Sequence, residues 1–297
     1  MTKWLPLISK FLVGFVLFMV LFYAGMQWYV HDTVEKGLQE AVEKVPGLEL
    51  NYSRLDVEVT KARVTLTEVD LKRGAERIFA DKVIFSDFDQ RHGIPHSMSV
   101  LAKGVVLPVD STHLGPLASL FQELGMVELQ GDCGLDYVFD PGNNALNIRS
   151  FTFDSPDLGR LHFSGGFGNL NLDDFRPESL VGLQIKGFDL TFADSGLMDR
   201  ILEVYALHRD LSRQQARDFL SDEVRALVNG ADAADNEQAV KAFQGLGTFV
   251  NAPEAIVVRA TPEEPVPWLY FFMGRDVFES IRLLDLTVET HPVDGNQ

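Results

Sequence analysis

A long alternation of apolar and polar residues constrains the fold of this chain more than any other feature of its sequence. Side chains of a β-strand point alternately to its two faces, so such a pattern predicts a strand with one buried face. Between residues 126 and 139 the apolar or small positions are Val127, Leu129, Gly131, Cys133, Leu135, Tyr137 and Phe139. The following Asp140-Pro141-Gly142-Asn143-Asn144 predicts a turn into a partner strand from Ala145 to Phe153.

The same alternation extends from residue 48 to residue 192. A slip in the pattern between Leu66 and Val69 predicts a bulge or bend, and further strands are expected at 159–167 and 180–192. Successive strands with short polar turns favour an antiparallel meander over βαβ units.

Helical spacing replaces the alternation elsewhere. Residues 32–45 and 111–124 each carry one apolar stripe, and after Phe192 three helices are predicted. Asp194 is the expected cap of the first helix. Ser212 with Gln215 forms a capping box for the second, and Asn229-Gly230 is expected to stop it. The third covers 237–250, and strands return at 255–260 and 284–289.

An uncharged run of twenty residues, Phe11–Val30, predicts a transmembrane helix. Lys3 and Lys10 precede the run, which places the N-terminus in the cytoplasm and exports the remainder of the chain. A cleaved signal peptide is the competing interpretation. It requires a shorter apolar core and a small residue where this sequence has Tyr23, so an uncleaved anchor is favoured.

These patterns together predict an α+β protein: an N-terminal transmembrane helix, then a long curved antiparallel β-sheet with a C-terminal helical subdomain. The expected segments are a cytoplasmic stub (1–10), a transmembrane anchor (11–30), a juxtamembrane helix (31–47), an antiparallel β domain (48–192), a helical subdomain (193–253) and a closing strand-helix-strand (254–297).

Charge and cysteine content narrow the function classes. The chain has 26 Lys and Arg against 43 Asp and Glu, for a net charge of -17. Such a surface repels phosphate backbones, which argues against nucleic-acid binding. The one cysteine, Cys133, lies at an inward-facing position of the alternation and is interpreted as a buried structural thiol.

A search for catalytic motifs finds none with the required spacing. His92 and His96 are close in sequence, but Gly93 and Pro95 prevent the helical spacing that aims two imidazoles at one ion, so solvated loop histidines are expected. No nucleophile elbow, HExxH or paired CxxC occurs. The sequence therefore predicts no cofactor, no metal site and no catalytic residue.

Two apolar features remain. Phe151, Phe153, Phe163 and Phe167 are either ordinary core or the wall of a lipid-accepting groove. The second feature, at 265–273, is either a buried helix or a docking patch for a membrane surface or a partner, with Trp268, Tyr270, Phe271 and Phe272 as its candidate residues.

The chain resembles the AsmA-like bacterial envelope proteins and related periplasmic families. The similarity lies in the anchor followed by Leu50-Asn51-Tyr52-Ser53-Arg54-Leu55, in the strands at 62–71, and in the repeat-like segments at 135–140, 146–148 and 158–165. The resemblance implies a Gram-negative inner-membrane protein that faces the periplasm and handles lipid or supports envelope integrity, without catalytic residues. The alternatives are a protein–protein adaptor of an envelope complex and an envelope hydrolase, whose polar groups would converge near His92 or His162.

Overall fold

The fold comes from a computed structural model that describes residues 32–291 except 41, 44–45, 75, 90, 93, 175 and 274–275, and not the side chains of Pro177 and Phe272. The predicted stub at 1–10 and transmembrane anchor at 11–30 lie outside the described residues. Among the helices of the described part, none is long and apolar enough to cross a membrane.

Twelve strands form one large antiparallel sheet within the described residues. Ten of them follow the order β1-β3-β4-β5-β6-β7-β8-β9-β10-β12, while β2 pairs with β3 and β11 with β9. The strands are β1 Leu48–Asn51, β2 Arg54–Glu58, β3 Arg63–Arg73, β4 Glu76–Ser86, β5 Ser97–Pro108, β6 Glu128–Asp140, β7 Ala145–Ser155, β8 Gly159–Gly168, β9 Gln184–Asp194, β10 Ala255–Ala260, β11 Val266–Pro267 and β12 Leu286–His291.

Helices precede the sheet and interrupt it at three places. They are α1 at residues 32–40 and 42–43, α2 Ser111–Leu114, α3 Leu117–Glu123, α4 Leu197–His208, α5 Arg213–Ala233, α6 Glu237–Asn251 and α7 Val277–Leu283. Short 3-10 turns occupy Val59–Lys61, Pro177–Gly182 and Trp268–Phe272. The chain is therefore an α+β protein built on a large antiparallel sheet, as the alternation and the helical stripes predict.

One predicted helix start is confirmed by its hydrogen bonds, and the other lies two residues later than predicted. The Ser212 hydroxyl accepts from the backbone N–H of Gln215, whose side chain accepts from the N–H of Ser212. The cap residue of α4 is Gly196 and not the predicted Asp194, although the Asp194 carboxylate accepts from the N–H groups of Gly196 and Met198. These bonds satisfy donors that the first turn of a helix leaves without a partner.

The predicted end of the second helix is wrong. Helix α5 continues past Asn229-Gly230 to Ala233, because Ala231 is fully buried in the core that the helices form with the sheet. A Cβ at Gly230 would lie 3.2 Å from Cζ of Phe278, so this glycine makes room for a packed ring instead of ending the helix.

Two element boundaries differ from expectation, whereas the break predicted in β3 is confirmed. Strand β9 begins at Gln184 and not at residue 180, since a 3-10 turn occupies Pro177–Gly182. The single helix expected at 111–124 is two helices, because Gly115 leaves helical geometry at a φ of 54°. The break expected between Leu66 and Val69 lies at Glu68, whose φ is 52°.

The core consists of several clusters on one face of the sheet. Val34 and Leu38 of α1 pack with residues of β2–β4, and side chains of α2–α4 pack with Leu129 and Phe153. Helices α4–α7 pack over β9, β10 and β12. At Gly245 of α6 the backbones approach so closely that a Cβ would lie 2.4 Å from the carbonyl oxygen of Val288.

Candidate functional site: an apolar band on the sheet

A row of directly opposed residues crosses ten strands of the sheet without a polar side chain. Opposed residues of an antiparallel pair point to the same face, so the row describes one face of the sheet. From β2 to β12 it consists of Val57, Val64, Phe85, Val100, Leu135, Phe151, Phe163, Leu190, Val258 and Val288.

A second row on the same face has the same character. It consists of Leu55, Leu66, Val83, Ala102, Cys133, Phe153, Leu161, Phe192 and Ile256, and ends at Thr290 on β12. One face of the sheet is therefore apolar along two neighbouring rows over nearly its whole width.

Helices cover the two ends of this face. Phe85 packs in the cluster that includes α1, while Phe192 and Val288 pack in the cluster of α4–α7. The six central residues of the first row are half-buried, and none of them is in a buried cluster formed by the described residues. We call these six residues the apolar band: Val100, Leu135, Phe151, Phe163, Leu190 and Val258.

The opposite face of the central strands is polar. The opposed residues Thr152, His162 and Thr191 cross β7, β8 and β9 there. Cross-strand ion pairs lie beside them, at 2.9 Å between Arg160 and Asp154 and at 2.6 Å between Arg259 and Asp189. Across β7–β9 the sheet is thus amphipathic through its thickness, with an apolar row on one face and a polar row on the other.

The four phenylalanines predicted as a groove wall lie together on the apolar face. Phe151 and Phe163 are directly opposed, and the rings of Phe163 and Phe167 have centroids 6.3 Å apart. Phe153 packs in the cluster beneath α2–α4, and Phe167 packs against the cluster around Ile185. The structure therefore places Phe151 and Phe163 in the apolar band, and Phe153 and Phe167 at its margins.

The candidate docking patch at 268–272 forms a 3-10 turn. Trp268 is 40% exposed, Tyr270 36% and the adjacent Met273 63%. Phe271 is half-buried against the cluster around Ile185, and the side chain of Phe272 is outside the described residues. The exposure of Trp268 and Tyr270 contradicts the interpretation of this segment as a buried helix, and its docking role remains a prediction.

Of the two histidines expected to be solvated loop residues, His92 is exposed, whereas His96 is mostly buried and in contact with it. The rings of His92 and His96 stack with centroids 3.6 Å apart and an angle of 9° between their planes. The described residues between β4 and β5 form no helix, and they nevertheless place the two rings in contact. Asp89, which lies three residues before His92, is not among the residues predicted from the sequence.

Asp89 is the centre of this loop. Its carboxylate contacts Nδ1 of His92 at 2.5 Å and accepts from the backbone N–H groups of Arg91 and His96. The hydrogen bond with His92 is the main reason that the pKa of Asp89 lies far below its usual range. A cavity of about 620 Å³ opens beside the loop and is also bordered by Asp136 and Arg149.

Comparison with protein families gives a match over the C-terminal part of the chain. A family model described as "Uncharacterized protein" matches residues 152–291, from within β7 to the end of β12. The matched segment includes Phe163, Leu190 and Val258 of the apolar band and all of α4–α7. No curated protein matches the chain.

Proposed function

We propose that the protein is a single-pass, non-enzymatic protein of the bacterial envelope that binds lipid acyl chains along the apolar band. The observation that carries the proposal is the band itself: six directly opposed apolar residues that stay half-buried between two helix-covered ends. Apolar surface that the described residues leave open at this scale is typical of binding sites for lipid or protein.

The dimensions suit an acyl chain. Neighbouring strands are about 4.8 Å apart, so the band across six strands is roughly 24 Å long. One leaflet of a bilayer core is about 15 Å thick, half of the roughly 30 Å of the whole core. An acyl chain of about that length fits along the band, and each of its methylenes that becomes buried contributes about 0.8 kcal/mol to the free energy of binding.

The rest of the sequence supports a position at a membrane. The uncharged segment at 11–30 is the proposed anchor, and the described part of the chain begins within α1 at residue 32. The net charge of -17 makes adsorption on anionic headgroups unfavourable, so the anchor and not the domain surface holds the protein there. The resemblance to AsmA-like proteins agrees with an inner-membrane protein whose bulk faces the periplasm.

The test is native mass spectrometry with lipid extraction on the full chain, purified in mild detergent from its host membrane. Phe163→Asp places a charge in the apolar band, where a buried carboxylate is costly. Thr152→Asp is the matched control, because it adds the same charge to the adjacent strand on the polar face. We expect stoichiometric lipid on the wild type and on Thr152→Asp, and its loss from Phe163→Asp.

The same comparison of variants distinguishes lipid bound around the anchor from lipid bound in the apolar band. An annular lipid is insensitive to both substitutions, whereas a band lipid is lost only with Phe163→Asp. If Phe163→Asp, folded by circular dichroism, retains as much lipid as the wild type, the band is not a lipid site. A wild-type protein that purifies without lipid leads to the same conclusion.

A further inference from the structure

The loop between β4 and β5 gathers three side chains with the chemistry of metal ligands. Asp89, His92 and His96 each offer one ligand atom, and these atoms all lie within 4.8 Å of one another. His92 is 40% exposed at its side chain, whereas His96 is 14% exposed. The group therefore combines a fixed inner histidine with an outer one that faces solvent.

Backbone and side-chain hydrogen bonds hold this loop against the sheet. The Tyr137 hydroxyl donates to the carbonyl of Pro95 at 2.8 Å, and the N–H of Phe139 donates to the carbonyl of His96 at 2.6 Å. The N–H of Asp89 donates to the carbonyl of Ser97 at 2.9 Å. Ligands that are held in place before an ion arrives lose less conformational entropy when it binds.

A second carboxylate orients the inner histidine. Nε2 of His96 lies 2.8 Å from Oδ1 of Asp173, in the connection between β8 and β9. When Nε2 carries the proton of this hydrogen bond, Nδ1 is the nitrogen with the free lone pair. Metal-binding histidines commonly use a carboxylate in this way, which fixes the tautomer and raises the basicity of the ligand nitrogen.

We infer that Asp89, His92 and His96 bind a transition metal ion of the zinc type, with Asp173 as the residue that positions His96. Two imidazoles and one carboxylate suit Zn²⁺, whereas Mg²⁺ and Ca²⁺ prefer oxygen ligands alone. Three protein ligands leave one tetrahedral position open toward the adjoining cavity of about 620 Å³.

Binding requires one local movement. Imidazole lone pairs lie in the ring plane, so two rings stacked at 9° do not aim at a common point. Rotation of His92 about its side-chain bonds brings its Nδ1 and the Asp89 carboxylate to the same ion. His92 can rotate because it is exposed, and the ion then replaces the hydrogen bond between His92 and Asp89.

Calorimetric titration of the full chain in detergent with zinc chloride tests the inference. We expect saturable binding of one Zn²⁺ per chain, weakened at least about tenfold by His92→Ala and by Asp89→Asn. His291→Ala is the matched control: His291 is also exposed and lies 3.4 Å from a carboxylate, that of Glu289. The control should bind zinc as the wild type does, and magnesium chloride should not displace the zinc.

The positioning role of Asp173 has its own readout. Asp173→Asn should weaken zinc binding by about ten- to a hundredfold without changing the stoichiometry, as losses of orienting carboxylates do. The inference is wrong if the wild type shows no saturable zinc binding, or if His92→Ala and Asp89→Asn bind zinc as tightly as His291→Ala. The melting temperature without zinc checks that both variants are folded.

Discussion

Cys133 on β6 lies directly opposite Phe153 on β7, on the apolar face of the sheet and next to the apolar band. Since the chain has one cysteine, this thiol is a natural reporter of that face. Burial raises its pKa, so the reactive thiolate is scarcer at neutral pH than in an exposed cysteine. The inward orientation predicted for Cys133 agrees with this position, although the side chain is only half-buried.

The first prediction concerns the reactivity of this thiol. Alkylation of Cys133 by N-ethylmaleimide in the full chain should be slower at neutral pH than alkylation of glutathione. Because the pKa of Cys133 is raised, its rate should reach half of its maximum at a higher pH than that of a free thiol, whose pKa is about 8.5. Mass spectrometry against time gives the rates. A rate and pH profile equal to those of glutathione would show that the face is fully open to water.

The second prediction concerns the contact between α6 and β12. Gly245→Ala should lower the free energy of unfolding by about 1–3 kcal/mol, because its Cβ meets a backbone oxygen that cannot move away alone. Gly247→Ala in the same helix is the control. Its Cβ would lie 3.4 Å from the Val224 side chain, so the gain in helix propensity should raise stability by up to about 1 kcal/mol.

Denaturant titration followed by circular dichroism measures both variants. The two substitutions add the same methyl group to the same helix and differ only in what surrounds it. Equal effects of the two would contradict the close approach of α6 and β12 at Gly245.

The third prediction concerns pH and the pair formed by Asp70 and Arg77. Arg77 donates two hydrogen bonds to the Asp70 carboxylate, at 2.7 and 2.9 Å, and thereby lowers its pKa. A carboxyl whose pKa is lower in the folded state stabilises the fold above its unfolded pKa, and this contribution is lost as the pH falls through the folded value. Asp70→Asn should therefore destabilise the protein at neutral pH, with a deficit that shrinks progressively below about pH 4.

Unfolding in urea at a series of pH values follows this difference. Arg77→Gln should reproduce most of the loss at neutral pH, and the double variant should be little worse than either single one, because the two side chains act as a pair. A deficit of Asp70→Asn that is the same at every pH would exclude the ion pair as its cause.

Local signals predicted much of the fold. The alternation around Leu129–Phe139 corresponds to β6, and the capping box at Ser212 corresponds to the start of α5. Predictions that relied on a single residue type were weaker. Asn229-Gly230 failed to stop α5 because packing of Ala231 outweighs the local preference of glycine for helix ends.

The candidate sites depended on contacts that sequence spacing does not reveal. Alternation indicates that Phe151 and Phe163 share a face of the sheet. That they are directly opposed depends on the register of β7 and β8, and that the band is open depends on where the helices pack, and neither can be read from the sequence. Likewise His96 and Asp173 are 77 residues apart and meet because the connections before β5 and β9 lie at the same edge of the structure.

The order of the strands has a consequence for how the chain folds. From β3 to β9 each strand pairs with the next one in sequence, so most of the sheet has a low contact order. During synthesis the sheet can therefore grow one hairpin at a time, starting from its N-terminal strands. Helices α4–α6 and strands β10 and β12 come last. The apolar face is therefore formed as far as β9 before its C-terminal cover exists, and a chain halted at β9 exposes an apolar surface that favours aggregation.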